Sequence, residues 1–90
     1  MIVIDCSQFS NKEAAHAYIA KMLGFPEYYG GNLDALYDCL NELKSNTSIG
    51  IRNSALAGKY LGEYGTKLLQ VFDAASCANP NLSLFYYFDI

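Results

Sequence analysis

Two apolar runs lie at opposite ends of the chain, MIVID at residues 1–5 and LSLFYYF at residues 82–88, and most of what separates them repeats at helical spacing. Strands held apart by helical segments pair in parallel, because a parallel connection needs a crossover long enough for a helix. Both runs are nearly continuous rather than alternating, the pattern of a sheet with buried faces. A third segment, SIGIRN at residues 48–53, is short and alternating and reads as a strand. The expected architecture is α/β, ordered β-α-α-β-α-α-β, with helices packed on a small sheet. Ninety residues suffice for one core without staples, and no linker, repeat or low-complexity segment divides them, so residues 1–90 are read as a single domain.

The helices have their own punctuation. Ser10-Asn11-Lys12-Glu13 spells a capping box, the serine accepting from the N–H of Glu13 and the glutamate reaching back. Ala15, Tyr18, Ile19 and Met22 follow at helical spacing, Gly24 is a stop, and His16 falls on the polar side. Asn32 is a good N-cap for a second helix whose core stripe is Leu33, Leu36, Leu40 and Leu43. A short helix is expected over residues 55–61, ended by Gly62. A longer one follows over 64–77, with Leu68, Leu69, Val71 and Phe72 inward. Asn79-Pro80-Asn81 is a turn into the last strand.

Several chemistries are excluded at this level. One histidine and three scattered cysteines make no convincing metal site, and no phosphate-binding fingerprint is present, so no metal and no cofactor are expected. Cys6, Cys39 and Cys77 are odd in number and contain no C-x-x-C pair; with an amino-terminal segment that lacks a basic region, reduced thiols in a cytoplasm are the expectation. The net charge of −3 is mild, but its placement is not: between Phe25 and Leu43 every charged residue is an acid, namely Glu27, Asp34, Asp38 and Glu42. Such a surface suits a basic partner and repels nucleic acid and anionic membranes.

Within that run, Asp34 and Asp38 lie one helical turn apart. With Leu33 at zero, the leucine stripe centres near 340°, the two acids fall at about 100° and 140°, and Tyr37 lies near 40°, between stripe and acids. Asp34 benefits from the helix dipole, whereas Asp38 lies past the first turn, and a like-charge pair at this spacing costs roughly 0.2–0.5 kcal/mol. On a solvated face the pair lacks the desolvation that would split its pKa values for acid–base work, so an enzyme is not expected. A partner's cations would complete the arrangement.

The segment PEYYGGNLDALYDCL, residues 26–40, resembles the signature of the barstar family, the intracellular inhibitors of barnase-type ribonucleases, and LQVF at residues 69–72 adds a weaker match. The resemblance implies a three-stranded parallel sheet packed with helices. It also implies inhibition without catalysis or cofactor, in which an acidic helix and the loop before it fill the basic active site of a secreted ribonuclease of the guanyl type. Carried over by motif, Asp38 is the dominant acid, Asp34 its neighbour, and Tyr28 the loop tyrosine that packs on the enzyme. Tyr37 stands where the family has tryptophan, and Tyr29, Gly30 and Asn32 shape the loop's entry into the helix. A monomer is expected when the protein is free. Two departures stand out: Gly31 replaces a further acid, and Ala74 replaces an interface glutamate on the later helix. Asp73 is adjacent to Ala74 but turned by about 100°, a displaced substitute at most. These losses point to a ribonuclease related to barnase but different from it. The alternative is an immunity protein, antitoxin or interaction domain that uses the same fold against another toxin.

Overall fold

The computed structural model describes residues 1–87. In chain order the elements are β1 (Ile2–Asp5), a 3₁₀ turn (Cys6–Gln8), α1 (Lys12–Leu23), α2 (Leu33–Asn41), β2 (Thr47–Arg52), α3 (Ala55–Leu61), α4 (Glu63–Ala78) and β3 (Leu82–Tyr86). The β-α-α-β-α-α-β order is the expected one. Residue 88, the end of the expected last strand, lies outside the described residues.

The three strands form one parallel sheet in the order β1-β2-β3, with Ile4 opposite Ile51 on one side of β2 and Ile49 opposite Leu84 on the other. Sequential order means both crossovers step the same way, and right-handed crossovers then deliver every helix to one face. Ile4, Ile49, Ile51 and Leu82 point into that face and join Leu36, Leu40, Leu68 and Phe72 in a core with at most 4% exposure. The expectation of a sheet with buried faces is corrected here: on the opposite face Phe85 is 41% exposed. Its ring and that of Tyr87 roof the backbone at Gly50, and Arg52 lies over Tyr87. The described part of that run, residues 82–87, therefore reflects a core face and an aromatic surface face, not two helical layers.

Two local expectations also change. Asn11, not Ser10, caps α1: its side chain accepts from the N–H of Ala14 at 2.8 Å. Asparagine caps as well as serine does, and Ala15 and Ile19 lie fully inside as expected. His16 lies inside as well, with 4% exposure, instead of on a polar face. Met22, expected inward, is 39% exposed.

Buried Asn79 joins the two halves of the fold. Its side-chain amide donates to the carbonyls of Leu40 at 2.9 Å and Leu43 at 3.1 Å, and its oxygen accepts from the N–H of Asn81. The end of α2, where the backbone loses its own partners, is thus closed by a residue from the end of α4. Leu43 correspondingly lies past the helix, while Leu36 and Leu40 carry the buried stripe.

Candidate functional site

The approach to α2 is fixed at each step. Gly24 takes the left-handed conformation (φ 69°) that ends α1, and the N–H of Tyr29 donates to the carbonyl of Pro26 at 3.0 Å. Gly31 is also left-handed (φ 65°), a conformation that a side-chain-bearing acid would occupy with strain, so the loss of charge there accompanies a backbone requirement. Asn32 then caps α2, its side-chain oxygen accepting from the N–H of Ala35 at 2.7 Å. Two adjacent tyrosines divide the work: Tyr28 is 86% exposed, whereas Tyr29 turns inward, packs on Phe25 with ring centres 5.0 Å apart and bonds to His16. Burial, with smaller contributions from Cys39 and Tyr64, raises the Tyr29 pKa and keeps its hydroxyl protonated.

Between α2 and α4 runs an open groove of about 760 Å³, lined by Leu33, Asp34, Tyr37 and Asp38 from one side and Lys67, Gln70, Val71 and Ala74 from the other. Asp38 also borders a smaller depression of about 200 Å³ with Tyr28, Tyr29, Cys39 and Glu42. It is the acid common to both hollows, so a bound group could reach it from either side. Tyr37 is 37% exposed on the groove. Among the described residues the one ion pair joins Lys67 to Glu63 at 3.5 Å along α4, which leaves Asp34 and Asp38 without a cationic partner.

The acids do not all share one surface. Glu42 sits with Asp38, but Glu27 lines a different hollow, against α1, with Lys21 and His16. Asp73 is likewise apart: its carboxylate accepts from the Tyr86 hydroxyl at 3.0 Å, in a depression beside α3, while Ala74 faces the groove. The 100° turn between neighbouring helical residues accounts for the separation. Lys67 escaped the sequence reading because it is remote from the acidic run; only the packing of α4 on α2 brings a base to the same groove.

The cysteines are free, with Cys6 buried and Cys77 exposed. Burial and, less, Asp5 push the Cys6 thiol up to about 12, and burial with Glu42 and Asp38 raises that of Cys39, so neither is poised as a nucleophile. No group of three or more histidine, cysteine or acidic residues that could hold a metal occurs among the described residues. None of their helices is long and apolar enough to cross a membrane.

The chain is similar to known proteins. The family model described as Barstar (barnase inhibitor) matches residues 1–88. The Bacillus subtilis (strain 168) protein named "Putative ribonuclease inhibitor YrdF" is 37% identical over 75 residues, covering 82% of each chain. The matched range spans the whole sheet and all four helices, and the chain belongs to the barstar family, whose members inhibit barnase-type ribonucleases and are not enzymes.

Proposed function

We propose that the protein blocks the active site of a barnase-like ribonuclease with the exposed face of α2 and the loop before it. The observation that supports this reading best is the pair of unpaired carboxylates, Asp34 and Asp38, beside a base that is already engaged by Glu63. A ribonuclease must hold phosphates with cationic side chains, and a carboxylate can take a phosphate's place. Paired to arginine it can form two parallel charge-assisted hydrogen bonds, which adds geometry to attraction. Asp38 carries the largest share, Tyr28 and Tyr37 supply aromatic contact, and Tyr29, Gly30 and Asn32 hold the loop rather than grip the partner. The inhibitor acts in the cytoplasm, as a monomer, on an enzyme whose normal destination is outside the cell.

The α4 wall narrows the partner. With Ala74 and a lysine where a second acidic contact would strengthen binding, the partner's positive charge has to be concentrated opposite α2. This favours a ribonuclease of related but distinct surface. Asp73, held by Tyr86 and facing elsewhere, does not replace the missing glutamate.

Titration into barnase-type ribonuclease assays tests the reading. Inhibition at one-to-one stoichiometry is expected, and Asp38→Ala should weaken it by about 2 kcal/mol or more, roughly 30-fold, while leaving the circular dichroism spectrum unchanged. Undiminished inhibition by folded Asp38→Ala would remove this face from consideration.

A further inference from the structure

His16 is the buried titratable group that the inhibitory face does not use. It is 4% exposed, yet both ring nitrogens are engaged: Nδ1 with the Tyr29 hydroxyl at 2.6 Å and Nε2 with the Tyr64 hydroxyl at 2.7 Å. Its partners come from 13 and 48 residues away, one from the loop before α2 and one from the start of α4. We infer that His16 is a positioning residue for partner binding: with Tyr29 and Tyr64 it forms a hydrogen-bonded relay that ties the binding loop to α1 and α4. The inference rests on the reading of that loop as part of the inhibitory surface.

The chemistry of imidazole makes the three groups interdependent. A neutral ring has one N–H and one bare nitrogen, so one tyrosine donates to it while the other accepts from it. Burial disfavours the charged ring, and the ordinary histidine pKa is lowered accordingly, against a weaker opposing pull from Glu13. Deleting either hydroxyl leaves a nitrogen of a largely buried ring without its protein partner. Each end is also seated by independent packing: Tyr29 against Phe25, and Tyr64 beneath the Lys12 ammonium, 4.6 Å from the ring centre. The far tyrosine matters to binding although it lines neither the α2–α4 groove nor the depression at Asp38. Its hydroxyl sets the ring, the ring holds Tyr29, and Tyr29 is the residue between exposed Tyr28 and the glycines that lead to the α2 cap. A loop already fixed in the free protein does not have to be ordered on association.

Tyrosine-to-phenylalanine substitutions keep the rings and remove only the oxygens, so they test the relay without emptying the core. Amide hydrogen exchange on the free protein is read first, at Tyr29 and its loop neighbours, for wild type, Tyr29→Phe, Tyr64→Phe, the double variant and the control Tyr60→Phe. Tyr64→Phe should speed loop exchange about tenfold, and Tyr60→Phe should not. Affinity for a barnase-type ribonuclease should fall several-fold in either single variant, with the double variant little worse than the singles, because one break opens the whole relay. Wild-type loop exchange in Tyr64→Phe, or strictly additive effects in the double variant, would overturn the proposal. Failure of the inhibitory reading looks different: Asp38→Ala would bind like wild type, while the exchange experiment, which needs no partner, would still decide whether the relay holds the loop.

Discussion

Gly65→Ala adds one methyl group where α4 begins to cross α3. A Cβ at that position would stand 2.0 Å from the carbonyl oxygen of Ala57, 2.4 Å from its carbonyl carbon and 3.0 Å from the nitrogen of Gly58. All three are backbone atoms, so no side chain can rotate away. Restoring ordinary contact, at roughly 3.5 Å or more, requires the helices to part by over an ångström in a close-packed interior. The upper part of the overpacking range, about 3 kcal/mol, is the appropriate cost, and the better helix propensity of alanine returns at most about 1 kcal/mol. The net loss of about 2 kcal/mol corresponds to a fall in Tm of roughly 8–16 °C for a domain of this size. Gly58→Ala is the matched control: its Cβ would meet only the Thr66 hydroxyl oxygen, at 3.8 Å, within the interior of α3. Propensity then acts alone, and stabilisation by up to about 1 kcal/mol is expected. Thermal and urea denaturation followed by circular dichroism measure both. If Gly65→Ala matched or exceeded wild type in stability, the close approach of α3 and α4 would be refuted, and with it the placement of Tyr64 one residue away.

Asn79→Ala should lower stability by about 2 kcal/mol in urea denaturation, since the carbonyl of Leu40 and the N–H of Asn81 both lose their side-chain partner in a buried setting. Stability should also fall as the pH drops below 6.5. The folded-state pKa of His16 is lowered, so the unfolded chain binds more protons between that value and 6.5, and stability rises with pH across the interval. Tyr29 from the loop and Tyr64 from α4 bond to His16, Glu13 on α1 opposes the shift, and Lys21 and Glu27 line the same hollow; Tm measured from about pH 5 to 7.5 should show a slope that His16→Gln flattens. Association with the cognate ribonuclease should slow steeply as salt shortens the Debye length from ~30 Å at 0.01 M to ~8 Å at 0.15 M, and less steeply for Asp38→Ala. A salt-independent rate in stopped-flow mixing would make the acidic face ordinary solvated surface.

What was legible in the sequence was local or periodic. The Asn32 cap and the Leu36 and Leu40 positions follow from a helical period and the residues that begin it, and they already orient Asp34 and Asp38 away from the core. Parallel pairing follows from the helical segments between the strands, whereas the order β1-β2-β3 is read only from the structure. His16 was misplaced for the opposite reason. It stands three and seven residues before Ile19 and Leu23, but its polar type argues for the surface, and the two hydroxyls that make its burial tolerable arrive from the loop and from α4. The same holds for Asn79, whose turn-like sequence context gives no sign that it closes the end of α2. Polar residues that stitch distant segments carry no local pattern; their signal is only a polar type next to buried neighbours.

These stitches bear on why the acidic pair can exist at all. Like charges one turn apart weaken a nine-residue helix slightly, and a helix so short is marginal on its own propensity. Here α2 is held from outside: the Asn32 cap at its start, Asn79 from the end of α4 at its finish, and Leu36 and Leu40 beneath. The backbone supports of α2 are thus independent of its outward face, which is free to keep Asp34 and Asp38 uncompensated. Internal neutralisation would have been available from Lys67, on the opposite wall of the groove, but that ammonium is paired along its own helix with Glu63. That pair is solvent-exposed and holds the ammonium only weakly, so Glu63→Gln is expected to lower affinity for a cationic active site slightly, without touching a residue of α2, and an unchanged affinity in titration beside wild type would show that Lys67 does not reach the acids.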